Sequence, residues 1–181
     1  MIHSPNWTTD ESKLQEACKS IEAVQRSGKA KSIGVSNYLR QHIEATLKVA
    51  TIVRAVNQIE FHRYLQRANQ YVHWLQSQGI CVSGFKPLTP ITVAAGGPLD
   101  AVVERIAKAH GVSVDSVLLQ WQVQNKVIPI TTTAKPSRLD KYWEATQFEL
   151  SESEMDEITA VGLTHHFRNW GRNRFTPDDH T

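Results

Sequence analysis

Apolar positions along the chain follow two alternating patterns. Short runs rich in β-branched residues read as buried strands: Ser32 to Val35, Val53 to Ile59, Ile80 to Gly84, and Val127 to Thr132. Met1-Ile2 has the same character and reads as the stub of a strand cut short at the start of the chain. Between these runs lie longer stretches with helical spacing. The first opens on Thr8-Thr9-Asp10-Glu11, where Thr8 can cap and Glu11 follows three residues later. It runs to about Ser27, with Leu14, Cys18, Ile21 and then Val24 or Gln25 on one face, and Gly28 ends it. Helices are further predicted from Leu39 to about Val49, Gln66 to Gln78, Leu99 to His110, Ser113 to about Gln124, Ser137 to Ala145 and Ser151 to Val161. Ser151-Glu152-Ser153-Glu154 gives the last of these a second capping box. Pro87 to Pro98, rich in proline and glycine, is a long loop of the kind that often carries function. Thr164 to Thr181 has no period and reads as a tail. No repeat or linker interrupts the pattern, so residues 1–181 are expected to form a single domain.

A strand-helix alternation implies parallel strands covered by helices. A doubly wound sheet and a TIM barrel both satisfy it. A doubly wound nucleotide fold would carry a glycine-rich phosphate loop, and neither GxGxxG nor GxxxxGK[ST] occurs. The strand ends instead carry polar side chains: Ser36-Asn37, Gln58 with Glu60, and Thr131-Thr132-Thr133. In a barrel such ends form the active face.

Composition narrows the picture. Hydrophobic residues at 40% and charged residues at 21% suit a globular core rather than a disordered chain. A net charge of +2 is too mild to argue for nucleic acid or a membrane surface. Cys18 and Cys81 form no CxxC pair and read as reduced thiols. No run approaches a membrane span, and Met1 to Asn6 lacks the basic and apolar regions of a signal peptide. A cytoplasmic protein is expected. His62 and His165-His166 have no metal-ligand spacing with any Cys or Asp, so no metal is expected. The tail from Phe167 to Phe175 mixes arginine with aromatics, but a substrate loop suits it better than a nucleic-acid contact.

The strand ends resemble those of the aldo-keto reductases. Gly34-Val35-Ser36-Asn37-Tyr38 is similar to the family's GVSNF segment, and Asn57-Gln58-Ile59-Glu60-Phe61-His62 to its NQxExH segment. Gly84-Phe85-Lys86-Pro87-Leu88 resembles YSPL, Val127-Ile128-Pro129 the start of the last barrel strand, and Ile2-His3-Ser4-Pro5 the LLHxP strand end. The order is the family's and the matches span nearly the whole chain. Thr131 to Lys135 resembles the branch that reduces ketoamides and keto-esters. The resemblance implies an α/β fold, a partial TIM (β/α)8 barrel comprising about the last five β/α units. It implies an N-terminally truncated NADP-dependent oxidoreductase domain, with residues 164–181 as tail or substrate loop.

The implied activity is NADPH-dependent reduction of aldehyde or ketone carbonyls to alcohols. His3 matches the catalytic histidine, which would donate a hydrogen bond to the carbonyl oxygen. Ser36, Asn37 and Gln58 match the residues that bind the nicotinamide carboxamide, with capping of the helix beginning near Leu39 the lesser alternative for Asn37. Phe85 stands where the family stacks a tyrosine on the nicotinamide, with Lys86 and Leu88 opening the loop over the pyrophosphate. Lys135, Ser137 and Arg138 match the region that grips the adenosine 2′-phosphate, and Tyr142 stands near the adenine position. Ile130 replaces the usual lysine there, so Lys135 is expected to supply the charge. Trp7, Phe167 and Trp170 could line the pocket for a small carbonyl substrate. The first three strands of the family barrel, which carry its catalytic Asp, Tyr and Lys, have no match. The alternative is therefore a non-catalytic nucleotide-binding or oligomerising remnant, self-associating through the unpaired strand edges at Met1-Ile2 and Val127-Ile130.

Overall fold

The computed structural model describes residues 1–176 and 178–181. The elements in chain order are α1 (Glu11–Arg26), β1 (Gly34–Ser36), α2 (Arg40–Leu47), β2 (Val56–Glu60), α3 (Tyr71–Ser77), β3 (Cys81–Phe85), α4 (Asp100–His110), α5 (Val114–Gln124), β4 (Val127–Ile130), α6 (Ser137–Glu144) and α7 (Glu152–Leu163). A 3₁₀ turn at Thr89–Ile91 interrupts the loop after β3. The strands form one sheet in the order β1-β2-β3-β4. β1 and β2 are parallel, with Gly34 opposite Val56 and Ser36 opposite Gln58. Chain contacts divide the molecule into two units.

The first unit holds residues 1–59, 69–83 and 181. Here α1 packs on α2 and turns Leu14, Cys18 and Glu22 inward, one every fourth residue. Asp10 caps this helix, its carboxylate accepting from the Ser12 N–H at 2.9 Å. Thr8 was the expected cap, but its hydroxyl accepts the Asp10 N–H instead, and the helix starts one turn-corner later. The inward Glu22 is the one acidic side chain of the buried stripe. It accepts from Thr51 N at 3.0 Å, Thr51 Oγ1 at 2.6 Å and Ile52 N at 3.2 Å. That anchorage explains why β2 begins at Val56 rather than at Val53, which is 56% exposed. Met1-Ile2 contributes a single parallel bridge, Ile2 to Val35, rather than a full strand. The helix expected from Gln66 starts only at Tyr71, because Asn69 and Gln70 take left-handed backbone with φ of 55° and 53°.

The second unit holds residues 60–68 and 84–180. α5 is its centre, buried from Ser116 through Gln122 and packed against α4, β4 and α6. α4 presents Val103, Ile106 and Ala107, and Gly111 ends it in left-handed backbone at φ 68°. Ser151 and Glu154 form the expected capping box on α7, with Ser151 N donating to the Glu154 carboxylate at 2.8 Å. β4 ends at Ile130, two residues before the expected end. Its Pro129 has no N–H to give a ladder.

Candidate active site

The parallel register brings the ends of β1 and β2 side by side in the first unit. The Gln58 carbonyl accepts two donors there, Ser36 Oγ and Asn37 N, both at 2.8 Å. Asn37 Nδ2 donates to the His3 carbonyl and to Ser36 Oγ, each at 3.0 Å. Asn37 itself sits in left-handed backbone at φ 58°, a conformation that asparagine tolerates better than most residues. It is 6% exposed, and its Oδ1 is buried with no hydrogen-bond partner. Gln58 Nε2 reaches Ser83 Oγ at 3.5 Å, the outer limit of a hydrogen bond.

His3, Ser36, Asn37 and Gln58 thus lie together. The His3 side chain is exposed, and its carbonyl is what holds the Asn37 amide. Asn37 does not cap the following helix. Leu39 is the cap residue of α2, and its N–H donates to His42 Nδ1 at 3.0 Å. Asn57 stands behind this cluster, fully buried, donating to the Tyr38 carbonyl at 3.0 Å and the Tyr71 hydroxyl at 2.9 Å. Tyr71 in turn donates to the Tyr38 carbonyl at 2.6 Å. This network fixes the turn that follows Asn37.

In the second unit the end of β3 leads into a cavity of about 440 Å³. Phe85, Lys86, Leu88, Arg138 and Tyr142 all line it, with Ile130, Thr131 and Asn169. Lys86 repeats the backbone device of Asn37, a left-handed residue (φ 58°) directly after a strand. Trp170 meets Phe85 edge-on at 6.3 Å between ring centres. Lys135 and Ser137 stand apart from the lining. Both are exposed, and Pro136 is the cap residue of α6 without a side-chain cap bond. Of the aromatic residues expected to line a substrate pocket, Trp7 is 55% exposed in the first unit, and Phe167 and Trp170 belong to the second.

Sequence reasoning gave no role to Glu60 and His62, nor to the backbone of Asn169 and Trp170. Glu60 and His62 are fully buried, with His62 Nε2 and Glu60 Oε1 3.1 Å apart. Glu60 also accepts the Asn169 and Trp170 N–H groups, each at 2.8 Å. Burial opposes ionisation of Glu60, but the hydrogen bond from His62 and the two main-chain donors outweigh it. Its carboxyl is held below the usual range. Burial pushes His62 down, against the pull of Glu60, so a neutral ring donates from Nε2. The Glu-x-His spacing at a strand end, which places both side chains on one face, was the available signal. Among the described residues no group of three or more His, Cys, Asp or Glu could hold a metal, and no helix is long and apolar enough to cross a membrane.

The sequence model of the Aldo/keto reductase family matches residues 1–162. The chain belongs to that family. It is 35% identical over 172 residues to the NAD/NADP-dependent indole-3-acetaldehyde reductase of Schizosaccharomyces pombe, covering 94% of this chain and 61% of the relative. It is 33% identical to the NADPH-dependent alpha-keto amide reductase of Saccharomyces cerevisiae, covering 91% of this chain and 55% of the relative. The crystal structure of an aldo/keto reductase from Brucella melitensis superimposes with a TM-score of 0.77 at 25% identity, over 88% of this chain and 59% of that one. The chain therefore spans little more than half the length of the relatives it matches, and its α/β fold is part of the family's TIM barrel.

Proposed function

We propose that the chain carries the nicotinamide-binding and phosphate-binding parts of an NADP(H)-dependent reductase of aldehyde and ketone carbonyls. The observation that carries this reading is Asn37 Oδ1, a buried acceptor at a strand end that lacks a donor. Leaving such an atom unpaired is costly, and a carboxamide N–H would satisfy it. Ser36 and Gln58 stand beside it to complete a polar frame for that amide. Strain at φ 58° supports a binding role, since such backbone collects at functional sites.

The cavity of the second unit suits the phosphate and adenosine parts of a dinucleotide. Its volume of about 440 Å³ falls in the range of small-molecule sites. Lys86 and Arg138 bring cations to it, and Phe85 and Tyr142 bring ring faces. Arg138 is the residue through which the 2′-phosphate would be distinguished, with Lys135 as an exposed auxiliary charge. NADP(H), when bound, supplies the hydride. His3 donates a hydrogen bond to the substrate carbonyl oxygen and orients it. The substrates are small carbonyl compounds, with ketoamides and keto-esters the favoured class from the Thr131–Lys135 segment.

A second reading is a nucleotide-binding module without reductase activity. It is favoured by the absence, within residues 1–181, of matches to the family's catalytic Asp, Tyr and Lys. Two measurements separate the readings. NADPH titration followed by tryptophan fluorescence should show binding that Asn37→Ala weakens about tenfold, the worth of one or two buried hydrogen bonds. Consumption of NADPH with a panel of aldehydes, ketoamides and keto-esters then reports turnover. Failure to bind NADPH overturns both readings, and binding without turnover leaves the second.

A further inference from the structure

Arg63 follows β2, in the segment that also carries His62, and is 1% exposed. None of its three guanidinium nitrogens has a hydrogen-bond acceptor. Its plane lies over the Trp121 ring, which offsets part of the cost of burying the charge but offers no acceptor for the N–H groups. Two carboxylates of the same unit are already committed. Glu60 is taken by His62 and the two tail N–H groups, and Asp179 lies 3.8 Å from Arg168. A guanidinium cannot shed its proton readily, so a dry, unpaired one calls for an anion. Burial presses its pKa well below the ordinary arginine value, which is the same cost seen from the other side.

Arg63 also lines a cavity of about 130 Å³, with Tyr64, Arg67, Leu163, His165 and His180 among others. Among the described residues, none that lines this cavity is acidic. Arg67 brings a second guanidinium, steadied by its Nε donating to the Glu60 carbonyl at 2.9 Å. His165 is held edge-on against Tyr64 at 4.6 Å, and His180 lies tilted against His166 at 3.9 Å. Gly162 of α7 lies so close that a Cβ there would sit 2.6 Å from the Arg63 carbonyl, so the wall is tightly packed. The volume admits a few waters or one tetrahedral ion and excludes a nucleotide. It shares no lining residue with the cavity of Phe85 and Arg138.

We propose that this cavity binds a small oxyanion, a phosphate or a carboxylate, with Arg63 as its principal ligand and Arg67, His165 and His180 around it. The bound anion ties the segment after β2 to α7 and the C-terminal tail.

The test is thermal unfolding of the 181-residue chain without dinucleotide, in sodium phosphate, sodium acetate or sodium chloride at matched ionic strength. Phosphate or acetate should raise the midpoint above that in chloride, and the anion that does so identifies the source. Arg63→Met should raise the concentration for half-effect about tenfold or more, as expected for losing a buried charge-assisted bond. The double variant Lys135→Ala/Arg138→Ala should keep the shift, which separates this cavity from the proposed cofactor site. Should Arg63→Met lack a cooperative transition, His180→Gln serves in its place and should weaken the shift several-fold. Equal midpoints in all three salts, or an unchanged shift in Arg63→Met or His180→Gln, would overturn the proposal.

Discussion

Replacing Glu22 with glutamine removes the charge from the buried face of α1 and leaves its shape. In the native chain Glu22 receives Thr51 N, Thr51 Oγ1, Ile52 N and the guanidinium of Arg26, and lies 3.5 Å from Arg54 Nη1. Arg54 is 2% exposed, so it cannot turn to water for a substitute. Burial raises the carboxyl pKa, but the Thr51 and Ile52 bonds and the Arg54 charge overcome it and bring it from 4.5 to about 2. At about 1.36 kcal/mol per pH unit, that displacement is worth about 3 kcal/mol. A carboxyl with a depressed folded pKa stabilises fully above its unfolded value. Its contribution therefore persists above about pH 4.5 and fades as the pH falls toward 2. Glu22→Gln should cost about 3 kcal/mol at pH 7 and roughly half of that at pH 3. Urea unfolding followed by circular dichroism at the two pH values measures this. A cost below about 1 kcal/mol at pH 7, or an equal cost at both, would refute the reasoning.

Two further substitutions probe the frame around Asn37. A Cβ at position 34 would lie 2.6 Å from Val56 Cγ1 and 2.8 Å from the Val56 carbonyl oxygen, so Gly34→Ala must push two paired strands apart. It should lower stability by about 1–3 kcal/mol, and an unchanged melting temperature would contradict the close approach. Tyr71→Phe deletes the hydroxyl that joins Asn57 to the Tyr38 carbonyl. A loss of about 1–2 kcal/mol in chemical unfolding is expected, and no loss would show that the network does not hold the turn.

The elements with strong local signals were legible in the sequence. The periodic faces of α1, α4 and α7 and the capping box at Ser151 depend on neighbours three or four residues away, which a linear reading can see. The start of β2 was not legible, because it is set by Glu22, about thirty residues earlier in the chain. The late start of α3 was hidden for another reason: Asn69 and Gln70 turn left-handed without a glycine to announce it. At the candidate site, the motifs marked Ser36, Asn37, Gln58 and Phe85, whose positions follow from strand ends. They did not mark Asn169, which joins the cavity lining from the tail, or the Glu60 latch, whose partners lie more than a hundred residues away. Of Lys135, Ser137 and Arg138, all expected at the phosphate, Arg138 joins the cavity lining, while Lys135 and Ser137 lie outside it.

Glu60 grips the tail by main-chain N–H groups, not by side chains. A latch of that kind is indifferent to which amino acids occupy positions 169 and 170, proline aside. The side chains at these two positions can therefore be exchanged while the tail stays fastened. Attachment and side-chain identity are thereby uncoupled, and mutational drift in the tail has room to change its surface without first loosening the molecule.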